Sequence, residues 1–218
     1  MKRPAVEYSK FRLHKINEPE FRHLKYLLFW PVYLFTFIAL ERLFVKSYYH
    51  PVHCALDDMI PFCEFFLIPY FLWFFGFVFI TLYTLLYDIE EFKRFMRFLC
   101  ISFMGTLVFY MIYPTCQELR VPEFTRDNIL TRIVSWLYSF DTNTNVCPSL
   151  HVIGALGMCF SAWHARGLEH PAIKVLAFIL AVLISLSTVF LKQHSFVDVI
   201  AAIPVSLLVY WIVYRLWK

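Results

Sequence analysis

Residues 175–213 read VLAFILAVLISLSTVFLKQHSFVDVIAAIPVSLLVYWIV. Two apolar runs, 175–191 and 196–213, are parted only by the polar segment 192–195. A helix crosses a bilayer with ~20 apolar residues, and about 17 suffice. Unbroken apolar runs lack the alternation of a barrel strand, so these segments read as helices. The same pattern recurs at 26–40, 65–87, 98–113 and 150–165, with some runs near the lower limit. The sequence therefore predicts an all-α polytopic membrane protein with six transmembrane helices in one bundle. Residues 1–218 read as a single domain, with no internal repeat and no linker composition. Composition agrees: 60% of residues are hydrophobic and only 17% charged, against about a quarter charged in soluble domains.

Basic residues orient the bundle. The lead-in 1–25 (Lys2, Arg3, Lys10, Arg12, Lys15, Arg22, Lys25) falls on one side, with Lys93, Arg94, Arg97, Arg166, Lys174, Arg215 and Lys218. Both termini are expected to be cytoplasmic. The lead-in reads as a basic segment on the membrane surface rather than a cleaved signal peptide. The net charge of +4 is accordingly a topology signal and gives no reason to expect a nucleic-acid partner. The opposite face receives 47–61, the long loop 114–148 and the turn 192–195. Within the long loop, Leu130, Ile133, Val134 and Leu137 predict a short amphipathic helix. Asp57, Asp58 and Glu64 read as an interfacial loop with a possible headgroup contact, and Asp141–Asn145 as turn chemistry beside the site. Of the six cysteines, Cys116–Cys147 and Cys54–Cys63 are the pairs that spacing allows to bridge.

Three polar clusters converge on that face. His194 and Asp198 are four apart, so a helix places the carboxylate behind the imidazole, leaving the far ring nitrogen free. Ser149 is a natural N-cap before an apolar helix, whose first amides, around Leu150 and His151, favour an anion. Lys192 and Arg120 add positive charge, and an arginine fork suits phosphate oxygens. The set is that of a phosphoryl-transfer site.

These residues resemble the type 2 phosphatidate phosphatase superfamily of integral-membrane lipid phosphatases. Its signature runs K-x6-R-P, P-S-x-H and S-R-x5-H-x3-D. Pro148-Ser149-Leu150-His151 matches the second part. Ser187 through His194 to Asp198 matches the third, with Thr188 where arginine is usual. In the first part Arg120 fits the arginine, Tyr113 takes the lysine position, and Val121 separates Arg120 from Pro122.

The resemblance implies His194 as nucleophile through a phosphohistidine, Asp198 orienting it, and His151 protonating the leaving oxygen. It implies Arg120, Ser149, the Leu150 amide, Lys192 and Ser187 as phosphate contacts, with no metal and no cofactor. The paired histidine roles imply a bell-shaped rate profile. The expected protein is an enzyme of the plasma (cytoplasmic) membrane with its site facing outward. Its partner is a lipid phosphomonoester or diphosphate, phosphatidate-like or polyprenyl. A lipid phosphotransferase on the same scaffold is the nearest rival. A non-enzymatic translocating protein fits less well, because residues 177–184 are wholly apolar.

Overall fold

The computed structural model describes residues 4–217. Lys2, Arg3 and Lys218, counted above in the charge bias, lie outside the described residues. A 3-10 segment, Arg22–Leu28, runs into α1 (Phe29–Arg42). There follow α2 (Ala55–Met59), α3 (Leu67–Tyr87), α4 (Ile89–Ile112), α5 (Ile129–Phe140), α6 (Leu150–His164), α7 (Pro171–Phe190) and α8 (Phe196–Trp211). Two short strands, β1 (His50–Pro51) and β2 (Thr115–Cys116), pair in parallel and tie the loop after α1 to the loop after α4.

Among the described residues, five helical stretches are long and apolar enough to cross a membrane: Arg22–Arg42, Glu64–Tyr87, Ile89–Ile112, Pro171–Phe190 and Phe196–Leu216. The remaining expected span, α6, has 15 residues. At ~1.5 Å per residue it falls short of a hydrocarbon core about 30 Å thick. It lies in the middle of the bundle, packed against α3, α4, α7 and α8. A helix walled by other helices need not reach the headgroups at both ends. The lead-in also departs from a purely surface segment. Phe21 and His23 are buried, and the Tyr8 hydroxyl donates to the Leu85 carbonyl at 2.7 Å.

The charged residues before the third apolar run belong to the same helix as that run. Asp88 caps α4 by accepting from the Glu91 amide, and Glu90 and Glu91 sit in its first turn, where the helix dipole favours acids. One face of α4 then buries Phe92, Phe95, Phe98 and Phe103 completely. Where lipid replaces water, helices are held by close packing, so small residues matter. On α6, Gly154 faces Phe77 and Trp73 of α3, and Gly157 faces Phe98 of α4. A methyl group at 157 would lie 2.6 Å from the Phe98 ring, which is itself fully buried and has nowhere to move.

Gly157→Ala is therefore expected to destabilise the detergent-solubilised protein by about 1–3 kcal/mol, the usual penalty for overpacking. Gly105→Ala meets nothing within 4 Å and is expected to be neutral or slightly stabilising, since alanine is the better helix former. Thermal unfolding of the two variants side by side checks both.

Candidate active site

The site is set by how α7 stops and α8 begins. Lys192 takes a left-handed conformation (φ 54°), its amide donating to the Val189 carbonyl and that of Gln193 to Thr188. This is a Schellman cap with lysine where glycine is usual. The His194 amide also donates to Thr188, at 3.0 Å. The next residue, Ser195, caps α8 by accepting from Val197. Asp198 answers with one oxygen that accepts from the Ser195 amide at 3.0 Å and lies 3.1 Å from His194 Nδ1. A carboxylate accepts only, so it holds the proton on Nδ1 and leaves the Nε2 lone pair free.

His151, in the first turn of α6, packs between Tyr70 and Trp73, each ring centroid 4.8 Å away. Its ring lies 5.6 Å from that of His194. Three contacts fix this end of α6. Ser149 caps it by accepting from Val152, the Ser149 amide donates to the Asp198 carbonyl at 3.1 Å, and the Tyr110 hydroxyl donates to Pro148 at 2.6 Å. A cavity of about 70 Å³ opens between the two imidazoles, lined also by Leu150, Gln193, Asp141 and Asn145.

The structure brings His151, His194, Asp198, Ser149 and Leu150 together. It does not turn the two sequence-assigned cations toward this cavity. Arg120 donates to the carbonyls of Tyr138, Asp141 and Thr142 and to Gln193 Oε1. The guanidinium thus pins the long loop. Lys192 points the other way, its Nζ donating to the carbonyls of Asp57 and Ile60 at 2.7 and 2.5 Å. Burial holds its pKa below the ordinary lysine value, with Asp57 and Asp58 opposing. A buried ammonium must find acceptors, and the end of α2 supplies them. Ser187 is equally occupied, donating to the Ile184 carbonyl of its own helix at 2.6 Å. Tyr113, at the lysine position of the first motif, stacks on His50 at 3.9 Å.

Several residues that position the site were read as loop or passed over. Asp57 is buried and accepts from the Cys54 amide (2.8 Å), the Ser195 hydroxyl (2.6 Å) and the Phe196 amide (2.7 Å). Burial alone would raise its pKa, but these hydrogen bonds outweigh it and leave it below the usual value. Gln117 donates to the carbonyls of Lys192 and Gln193. Glu41 accepts from Thr142, Thr144 and Asn145. An acid in the last turn of a helix opposes the dipole, and that anomaly was the available signal for Glu41. Glu64, the other loop acid, pairs with Arg126 and Asn128. All six cysteines are free, so neither candidate disulfide forms. Burial, with the Asp198 carboxylate beside it, pushes the Cys147 thiol up to about 12.

The model of the PAP2 superfamily matches residues 114–218. That segment, a little under half of the chain, carries both histidines and Asp198, and the match is consistent with a member of the type 2 phosphatidate phosphatase superfamily. Comparison with curated proteins and with solved structures returned no match. The match suggests phosphatase-type chemistry on phosphate esters, in a protein whose apolar helices suit a membrane.

In Asp57→Asn, one amide oxygen must serve three donors. The expected loss is about 1–3 kcal/mol, the cost of buried donors left unsatisfied, with reduced activity as the start of α8 loosens. Because the folded pKa of Asp57 is lowered, its contribution is complete above the unfolded carboxylate value of about 3.9. It disappears as pH falls through the folded value. Melting curves at stepwise pH should show wild type and variant furthest apart near neutrality and converging in acid.

Proposed function

We propose that the chain is a metal-independent lipid phosphate-ester enzyme that works through a phosphohistidine on His194. The observation that carries this reading is the pairing of His194 Nδ1 with a buried Asp198 while His151 lies across a shared cavity. His194 Nε2 attacks phosphorus and a P–O bond breaks. His151 gives its proton to the departing oxygen, and Asp198 stabilises the imidazolium character that develops on His194. In the second step His151 takes a proton from the incoming water as its oxygen bonds phosphorus, and the N–P bond breaks. Both histidines return to their starting states.

The first amides of α6 and the Gln193 side chain are the donors we assign to the phosphoryl oxygens. Arg120 acts one layer back, through the Oε1 of Gln193 and the carbonyls it holds. Phosphatidate-like lipids and polyprenyl diphosphates are the family-suggested donors, with the site on the outward face of a plasma membrane.

His194→Ala is expected to abolish turnover, and His151→Ala to slow it by about 10²–10⁴-fold, the usual share of general acid–base catalysis. Radiolabelled lipid donor should leave an acid-labile, base-stable phosphoryl label on the wild type and none on His194→Ala. An unlabelled but active wild type would refute the covalent route. For orientation, a cysteine at exposed Glu123 should react with a membrane-impermeant maleimide on intact cells, and one at exposed Glu18 only after lysis.

A further inference from the structure

The charge around the cavity does not suit a doubly charged phosphomonoester. Among the described residues no lysine or arginine lines it, whereas Asp141 does. Behind the lining residues Thr142, Thr144 and Asn145 sits the carboxylate of Glu41, which accepts from all three. Two buried lining side chains have an atom without a partner. Asn145, 8% exposed, gives its amide nitrogen to Glu41 at 2.7 Å, so the unpartnered atom is the acceptor Oδ1. Gln193, 3% exposed, uses its Oε1 for Arg120 at 2.7 Å, so its unpartnered atom is the donor Nε2. These partners settle which end of each amide is which.

The cavity is thus bipolar. Beside His194 the buried Gln193 donor is unpartnered; on the side of the loop 141–145 the buried Asn145 acceptor is unpartnered, Asp141 lines the wall and the Glu41 carboxylate lies behind it. The remaining wall is aromatic, with Tyr33, Phe37, Trp73 and Tyr110. Aromatic faces and carboxylates together are the surroundings that favour an organic cation. Buried polar atoms without partners are costly, and a ligand carrying both a phosphoryl acceptor and a cation answers both ends at once.

Resting on the histidine mechanism above, we infer that the substrate is a phosphodiester whose headgroup bears an ammonium, a zwitterionic phospholipid of the ethanolamine or choline class. The ammonium lies toward Asp141 and Asn145, and the phosphoryl group lies between the histidines near Gln193. His194 then displaces the diacylglycerol oxygen. The N–P bond forms, the P–O(glycerol) bond breaks, and His151 protonates the diacylglycerol. Water, or an alcohol acceptor, displaces His194 with loss of its proton to His151 and leaves with the amine-bearing phosphoryl group.

The test presents full-length protein in mixed micelles with phosphatidylethanolamine, phosphatidylcholine or phosphatidate, with and without a long-chain alcohol. Diacylglycerol, inorganic phosphate and headgroup products are measured by mass spectrometry. We expect diacylglycerol from at least one zwitterionic donor at a kcat/KM at least tenfold above phosphatidate. The donor that turns over identifies the amine. In Asp141→Asn that ratio should fall at least fivefold. Phosphatidate turned over as fast as or faster than both zwitterions, with the histidine label present, would overturn this inference and leave the mechanism standing. An unchanged ratio in Asp141→Asn would also overturn it. No product from any donor and no label on His194 would overturn both.

Discussion

A buried carboxylate in a five-residue helix outside the bundle holds the start of α8. Asp57 accepts from the first turn of α8, while the ammonium of Lys192, in the cap that ends α7, returns to the end of α2. The two ties run in opposite directions between the same pieces of chain. Each satisfies groups that helix ends leave without intrahelical partners. Between them sits His194, with almost no freedom to move. The left-handed conformation of Lys192 is unfavourable for a residue with a side chain, and the anchored ammonium helps to keep it. The position of His194 thus depends on polar contacts from a loop more than one hundred residues away in sequence.

The same logic governs the long loop. Arg120 gathers three carbonyls where α5 ends, and Glu41 gathers the polar side chains that follow. Both are charged groups used as clamps on neutral partners, an arrangement that low-dielectric surroundings strengthen and that leaves little charge for a ligand. For Asp141, burial raises the carboxyl above its usual range, and Arg120 and His194 offset only part of that. Where the family pattern has a lysine and a second arginine, this chain has Tyr113 stacked on His50 and Thr188 accepting from the turn. The His194–Asp198 pair remains and the surrounding electrostatics differ.

The helical class, the approximate extent of most spans and the spacing of His151, His194 and Asp198 were legible in the sequence. Apolar run length and the four-residue helical repeat are local properties. The amphipathic α5 was legible for the same reason. The centrality of α6 was not, because a 15-residue apolar helix reads alike whether lipid or protein surrounds it. Nor was the use of Arg120 and Lys192: a basic residue near a phosphate motif looks like a ligand until the direction of its side chain is known.

The sequence by itself determined that apolar helices would form, where their polar ends would fall, and that an imidazole would stand one turn from a carboxylate. These follow from side-chain chemistry at fixed short spacing. Tertiary structure alone decided that Asp57 would support α8, that α6 would be enclosed with its glycines against Phe77 and Phe98, and that the cations would face away from the cavity. Each of these joins residues far apart in the chain. Which acceptor a buried charge reaches is settled only when the helices have packed and the desolvated groups must find partners.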